Sequence, residues 1–182
     1  MITQEELNKL RYPVGKFKWP RQVESGKLEQ WIDDIEKFPS ELQDAVKNIS
    51  ELELSWKYRP EGWTIRQVVH HCADSHLNAI VRFKLALTED NPTIVAYLEA
   101  KWAELGDVKL EIEPSLEILR GLHQRWAKLL RSMKEEDYNR TYFHPEHNRS
   151  ISLYNTTSMY DWHCRHHLAH VMQALEFKGK FN

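Results

Sequence analysis

Four long segments of the chain carry apolar side chains at three- and four-residue spacing, the spacing of one face of an α-helix. They cover residues 27–49, 64–89, 113–133 and 152–177. No segment of comparable length alternates apolar and polar residues as a half-buried strand would. Each helix must bury its apolar stripe against another one. The sequence therefore predicts an all-α fold, a four-helix bundle with long crossover connections.

Several residues mark where these helices begin, bend or end. Thr64 is a good N-cap, and Gln67 three residues later can complete a capping box. Pro114 suits the first turn of the third helix, and Gly179 is a stop signal after the fourth. Pro39 lies inside the first segment and predicts either one kinked helix or two collinear pieces.

Two of the remaining segments lack this periodicity. Residues 1–25 contain Pro13 and Pro20 among aromatic and lysine side chains, which predicts an extended arm lying on the domain rather than a helix. Residues 135–150 are predominantly polar and predict a long loop, with room for a short hairpin. At this length the whole chain, 1–182, is expected to form a single domain.

The overall composition excludes several classes of partner. Lys plus Arg is 25 and Asp plus Glu is 27, so no charge excess favours nucleic acid or an anionic membrane. A mean hydropathy of -0.65 and the lack of a long apolar run argue against a membrane span. The N-terminal residues do not resemble a secretory signal, and two cysteines are too few for a disulfide framework. We therefore expect a cytoplasmic protein that acts on a small molecule.

Histidines concentrate in the fourth helix, where residues 161–170 read DWHCRHHLAH. Side chains four residues apart lie nearly above one another on a helix. Two such pairs occur here, His163 with His167 and His166 with His170. Either pair could supply two ligands to a metal ion, as in other helical His-x-x-x-His sites. Zinc-like ions take at least three protein ligands, so another helix must contribute.

The second helix offers His70, His71 and His76. His70 and His71 point about 100° apart around the helix, so only one of them can face a shared site. Histidine pairs also arise on solvated helix faces without any bound ion. The spacing alone therefore leaves open both the existence of the site and the choice of pair.

The segments GWTIRQVVHHCADSHLNAIVRFKLALTE and YDWHCRHHLAH, with YPVGKF and YFHPEH, resemble the DinB-like superfamily. The resemblance is greatest to its YfiT-type branch, described as metal-dependent hydrolases, and extends from about Tyr12 to about Val171. It implies a four-helix bundle with one divalent metal held by three histidines. Matched residue by residue, the ligands fall on His71, His163 and His167.

Three neutral imidazoles leave one coordination position open to water or substrate. They suit zinc or nickel first, and iron, cobalt and manganese are also compatible. Asp74, one turn after His71, and Tyr160, one turn before His163, are candidates to orient the ligands through their second ring nitrogens. Cys72 departs from the aliphatic residue common in similar sequences, and we expect it to be a packing residue.

Three functions agree with such a site. The resemblance favours a metal-dependent hydrolase. Similar proteins also include metal-dependent S-transferases that use a low-molecular-weight thiol such as bacillithiol. A metal- or small-molecule-binding stress protein without turnover is the third. The resemblance further implies a homodimer, with the aromatic N-terminal arm as a candidate interface.

Overall fold

The computed structural model describes residues 2–21, 24 and 26–182. Four long helices dominate it and confirm the predicted four-helix bundle. No helix within these ranges has both the length and the apolar character that crossing a bilayer requires. The helices are α1 (Gln4–Arg11), α2 (Lys27–Val46), α3 (Glu51–Leu54), α4 (Ile65–Thr88), α5 (Glu99–Trp102), α6 (Glu113–Ser132) and α7 (Leu153–Phe177), and the strands are β1 (Thr141–His144) and β2 (Arg149–Ser152).

The predicted helix boundaries have clear structural causes. The Thr64 hydroxyl accepts a hydrogen bond from the Gln67 backbone N–H at 3.2 Å, and the Gln67 amide oxygen accepts one from the Thr64 N–H at 3.0 Å. This capping box begins α4. After α7, Lys178 and Gly179 take left-handed backbone conformations that end the helix. Pro39 is accommodated inside α2, which continues as one helix.

The bundle core lies between α2 and α4 on one side and α6 and α7 on the other. Helix α2 packs on both α6 and α7, and so does α4. The largest fully buried apolar and aromatic side chains come from all four helices and from strand β1. They include Ile35, Phe38, Leu42, Ile65, Phe83, Leu119, Trp126, Leu130, Tyr142 and Leu153.

The N-terminal arm differs from the prediction over Gln4–Arg11, which form α1 rather than extended chain. Thr3 and Glu6 make a complete capping box there, and this local signal outweighs the polar, core-free character of the segment. The arm does lie on the domain, as predicted. The Gln173 side chain of α7 donates a hydrogen bond to the Leu10 carbonyl at 3.0 Å.

The predicted loop after α6 contains an antiparallel hairpin of β1 and β2. Phe143 of β1 also bonds to the connection that follows α4: its N–H donates to the Pro92 carbonyl at 2.9 Å, and its carbonyl accepts from the Ile94 N–H at 3.1 Å. Backbone hydrogen bonds therefore join the hairpin to a second connection. Together they form part of a cavity wall.

Candidate metal centre

The structure brings together the three histidines that the resemblance singles out. His71 lies on α4, and His163 and His167 lie one turn apart on α7. One ring nitrogen from each lies within 4.8 Å of the others. The Nε2 atoms of His71 and His163 are 3.3 Å apart. Tetrahedral zinc with Zn–N bonds of about 2.0–2.1 Å separates its ligand nitrogens by about 3.3 Å, so this pair has a fitting spacing.

The His167 ring is buried without a polar partner. It forms no hydrogen bond to any residue that the structure describes, and its Nδ1 atom is fully buried. A buried polar group without a partner costs about 1–3 kcal/mol. Its ring instead meets the rings of His71 and His163 edge to face. One nitrogen of each ring lies close to the other two, as a shared cation requires, so the residues present fit a divalent metal.

Burial keeps these three histidines neutral. It lowers the pKa of His71 to about 4, with the nearby His166 adding to the effect. Burial also lowers the pKa of His163 and His167 well below the ordinary value, and the neighbouring histidines act in the same direction. Metal coordination requires an unprotonated ring nitrogen. At neutral pH the cluster therefore offers lone pairs rather than charges.

A chain of hydrogen bonds determines which nitrogen of His163 carries its proton. His163 Nδ1 lies 3.0 Å from His76 Nε2, and His76 Nδ1 lies 2.7 Å from His123 Nε2. His123 Nδ1 lies 2.5 Å from the Ile35 carbonyl oxygen. That oxygen can only accept, so His123 Nδ1 must donate. Each neutral ring then accepts on one side and donates on the other, which leaves the Nε2 lone pair of His163 directed towards His71.

Pro39 explains why the Ile35 carbonyl is free to anchor this chain. A carbonyl in a helix normally accepts from the N–H four residues later, and proline has no N–H. His123 of α6 supplies the missing donor. The sequence singled out Pro39 as a helix irregularity but did not connect it to a histidine. The sequence does contain a signal for this chain, because the spacing places His76 and His123 on the apolar faces of their helices, where a buried histidine needs a hydrogen-bond partner.

The two candidate orienting residues make other contacts. The Tyr160 hydroxyl donates to the Ser75 backbone carbonyl at 3.1 Å, and its ring centroid lies 5.5 Å from that of His163. Asp74 is half-buried, and its carboxylate forms no hydrogen bond with a residue in the described ranges. The second nitrogen of His163 is instead occupied by His76.

His70, His166 and His170 do not belong to the cluster, although the rings of His166 and His170 pack against that of His167. His70 bonds through both ring nitrogens to groups outside it. His166 stacks on Trp162 with ring centroids 4.3 Å apart, and His170 stacks on Tyr58 at 3.7 Å. His166 and His170 lie together, with ring centroids 4.2 Å apart, but His70 bonds elsewhere, so the alternative set of three does not converge.

Cys72 is a packing residue, as expected, and so is Cys164. Cys72 and Cys164 are buried, and burial raises the pKa of each thiol. Neither sulfur belongs to the three-histidine cluster.

A cavity of about 470 Å³ opens beside the cluster. Its inner end is lined by Ser75, Tyr160 and His163, and it continues along α4 to Arg82 and the β hairpin. The Ser75 hydroxyl lies 3.5 Å from His163 Nε2. A ligand entering this cavity would therefore meet His163 and the Ser75 hydroxyl together.

The sequence profile of the DinB superfamily matches residues 34–171, three quarters of the chain and all of the elements that build the site. The chain belongs to the DinB superfamily. A relative from Bacillus cereus (strain 03BB102) is 48% identical over 165 residues, covering 91% of this chain and 95% of its own length. A relative from Bacillus thuringiensis subsp. konkukian (strain 97-27) matches with the same identity and coverage. Both are named "Putative metal-dependent hydrolase".

A solved structure agrees with this family assignment. YfiT from Bacillus subtilis, described as "a probable metal-dependent hydrolase with an unusual four-helix bundle topology", superposes with a TM-score of 0.90 at 40% identity. The match covers 94% of this chain and 98% of YfiT. This chain thus shares the four-helix bundle topology of YfiT.

Proposed function

We propose that this DinB-superfamily protein is a metal-dependent hydrolase in which His71, His163 and His167 hold one divalent ion, zinc or nickel. The convergence of three neutral imidazoles beside an accessible cavity carries the proposal. The names of relatives that are 48% identical over most of the chain support it. The lack of a fourth protein ligand among the described residues is typical of catalytic rather than structural sites.

A divalent ion bound here would act as a Lewis acid, which lowers the pKa of water and polarises a carbonyl group. The protein's own residues hold and shape the site. His76 fixes the ring of His163, and the Trp63 ring, 4.7 Å from the His71 ring, covers another side of the cluster. The Ser75 hydroxyl can donate a hydrogen bond to a substrate oxygen in the cavity.

Replacing His123 with leucine should weaken metal binding by about 10- to 100-fold, the range for groups that orient metal-ligating histidines. The variant removes both the acceptor for His76 and the donor to the Ile35 carbonyl. Without His123, the hydrogen-bond chain no longer fixes the orientation of the His163 ring. Competition with a chromophoric chelator measures the zinc affinity directly.

His70→Leu is the matched control, because His70 is also a buried, hydrogen-bonded histidine but bonds to Ser115 and the Leu110 carbonyl. We expect it to lose stability while its zinc affinity stays within about twofold of the wild-type value, since its bonds do not reach the ligands. Equal zinc affinities for His123→Leu and the wild type would contradict the orienting role of the histidine chain.

One observation favours a metal-dependent thiol S-transferase as a second candidate. No Asp or Glu oxygen of the described residues belongs to the cluster, so a carboxylate general base is not part of it. Activation of a low-molecular-weight thiol needs no such base, because a metal ion itself lowers a thiol's pKa. The cavity beside His163 could then accept a thiol and its electrophilic partner.

Assays on zinc-loaded, nickel-loaded and chelator-treated protein separate these functions. A panel of esters and amides tests hydrolysis, and a low-molecular-weight thiol with an electrophilic dye tests thiol transfer. Metal-dependent hydrolysis that His163→Ala abolishes is the expected result. Metal-dependent conjugation alone would support the transferase. Stoichiometric metal without turnover in either assay would contradict both and indicate a binding protein.

A further inference from the structure

Arg82 of α4 is a buried cation without an anionic partner. Arg82 is only 8% exposed, yet it forms no salt bridge with any residue in the described part of the chain. Its side chain does hydrogen-bond to Tyr142, but that hydroxyl is neutral and does not balance the charge. Arginine is almost never this deeply buried unless it is paired, because removing its charge from water is unfavourable. Arg82 therefore lacks the anion that such a position normally requires.

The guanidinium faces the cavity that leads to the three histidines, because Arg82 lines its wall. Its charge reaches the tyrosines around the same space. Burial raises the pKa of Tyr142 and of Tyr160, and the Arg82 cation acts in the opposite direction on both. Glu99 and Glu146 lie at the exposed rim of the cavity, and neither forms an ion pair with Arg82. Burial raises the pKa of Glu99 and the Arg82 charge acts against this through space, but no carboxylate of the described residues forms a salt bridge with the arginine.

The periodicity of α4 places Arg82 in line with the metal centre. His71, Ser75 and Arg82 stand at positions i, i+4 and i+11, which is one face of an α-helix. Eleven residues span about 16 Å along the axis, and helical side chains lean towards the N-terminus, so Arg82 leans towards His71. The cavity of about 470 Å³ is large enough for a small molecule between the two ends.

We propose that Arg82 binds an oxyanion group, a carboxylate or a phosphate, of a ligand whose other end lies at the three-histidine cluster. The planar fork of a guanidinium donates two parallel hydrogen bonds to either group. Anion binding at Arg82 needs no metal. Its role in placing a reactive group beside His163 rests on the proposed function.

Binding of small anions to metal-free protein tests this assignment. Succinate and inorganic phosphate are titrated separately into the wild type, Arg82→Gln and Lys101→Gln, and binding is followed by two-dimensional NMR and calorimetry. Lys101 is the matched control, because it lines the same cavity but is exposed at its rim. Arg82→Gln should weaken binding by at least about tenfold, and Lys101→Gln by less than about twofold, since exposed charges contribute little.

The succinate and phosphate arms identify the group, because the tighter probe shows whether a carboxylate or a phosphate is preferred. Arg82→Lys keeps the charge but loses the fork, and should bind with intermediate affinity. It also carries the test if Arg82→Gln does not fold, as circular dichroism would show. Binding of neither anion to the wild type would overturn the proposal, as would equal affinities for the wild type and the folded Arg82 variants. Because metal is absent, these outcomes are independent of whether the histidines bind an ion.

Discussion

Replacing His163 with alanine is expected to reduce bound metal from about one equivalent per chain to near zero, because two remaining imidazoles are too few for a stable site. His163 is central to the cluster, since its Nε2 lies 3.3 Å from His71 Nε2 and its ring packs against His167. Elemental analysis of tag-free protein, loaded with zinc or nickel and then desalted, measures the loss. His71→Ala and His167→Ala should behave in the same way.

His166→Ala is the matched control, being a histidine of the same helix that stacks on Trp162 outside the cluster. It should keep its full equivalent of metal. Full retention by the His163, His71 and His167 variants would refute the ligand assignment. The set of His70, His166 and His170 would then have to be tested despite its dispersed positions.

Replacing Trp126 with alanine should lower the free energy of unfolding by about 3–5 kcal/mol, the range for deleting a buried large aromatic side chain. Trp126 is completely buried, with its ring centroid 5.6 Å from that of Phe83 and 5.1 Å from that of Tyr160. It also packs edge to face on His76 and His123, so its loss should disturb the histidine chain. Urea denaturation followed by circular dichroism gives the value.

Trp102→Ala makes the same deletion at a position that is 37% exposed, and it should change the free energy of unfolding by less than about 1 kcal/mol. Trp126→Phe keeps most of the packing and removes an indole N–H that has no partner among the described residues. It should therefore be much milder than alanine. Equal effects of Trp126→Ala and Trp102→Ala would contradict the packing described here.

The architecture could be predicted from the sequence because its signals are local. Helical periodicity identified the four long helices, and the Thr64 cap and the Gly179 stop gave boundaries that the structure confirms. The prediction of an extended arm was wrong over Gln4–Arg11, because it relied on the later residues Pro13 and Pro20 and not on the capping box at Thr3. The error thus came from neglecting one short-range pattern.

The site could not be predicted from residue spacing within one helix. Periodicity could not choose between the pair His163 and His167 and the pair His166 and His170, because both lie near the inner face of α7. The structure separates them through tertiary stacking partners, such as Tyr58 against His170. Only the family resemblance had pointed to His163 and His167.

The histidine chain was missed because it depends on how three helices pack. The bond from His123 to the Ile35 carbonyl crosses from α6 to α2, and His76 joins them from α4. Residue spacing within one helix cannot show that two buried histidines will meet. The role of Arg82 could not be predicted for the same reason, since the lack of an anionic partner is a property of the folded chain.

X-ray absorption spectroscopy of the zinc-loaded wild-type protein tests most directly whether two distant stretches of chain share one ion. We expect three imidazole nitrogens at about 2.0–2.1 Å and one or two further oxygen neighbours. A sulfur neighbour from Cys72 or Cys164, or fewer than three imidazoles around the zinc, would contradict the proposed centre.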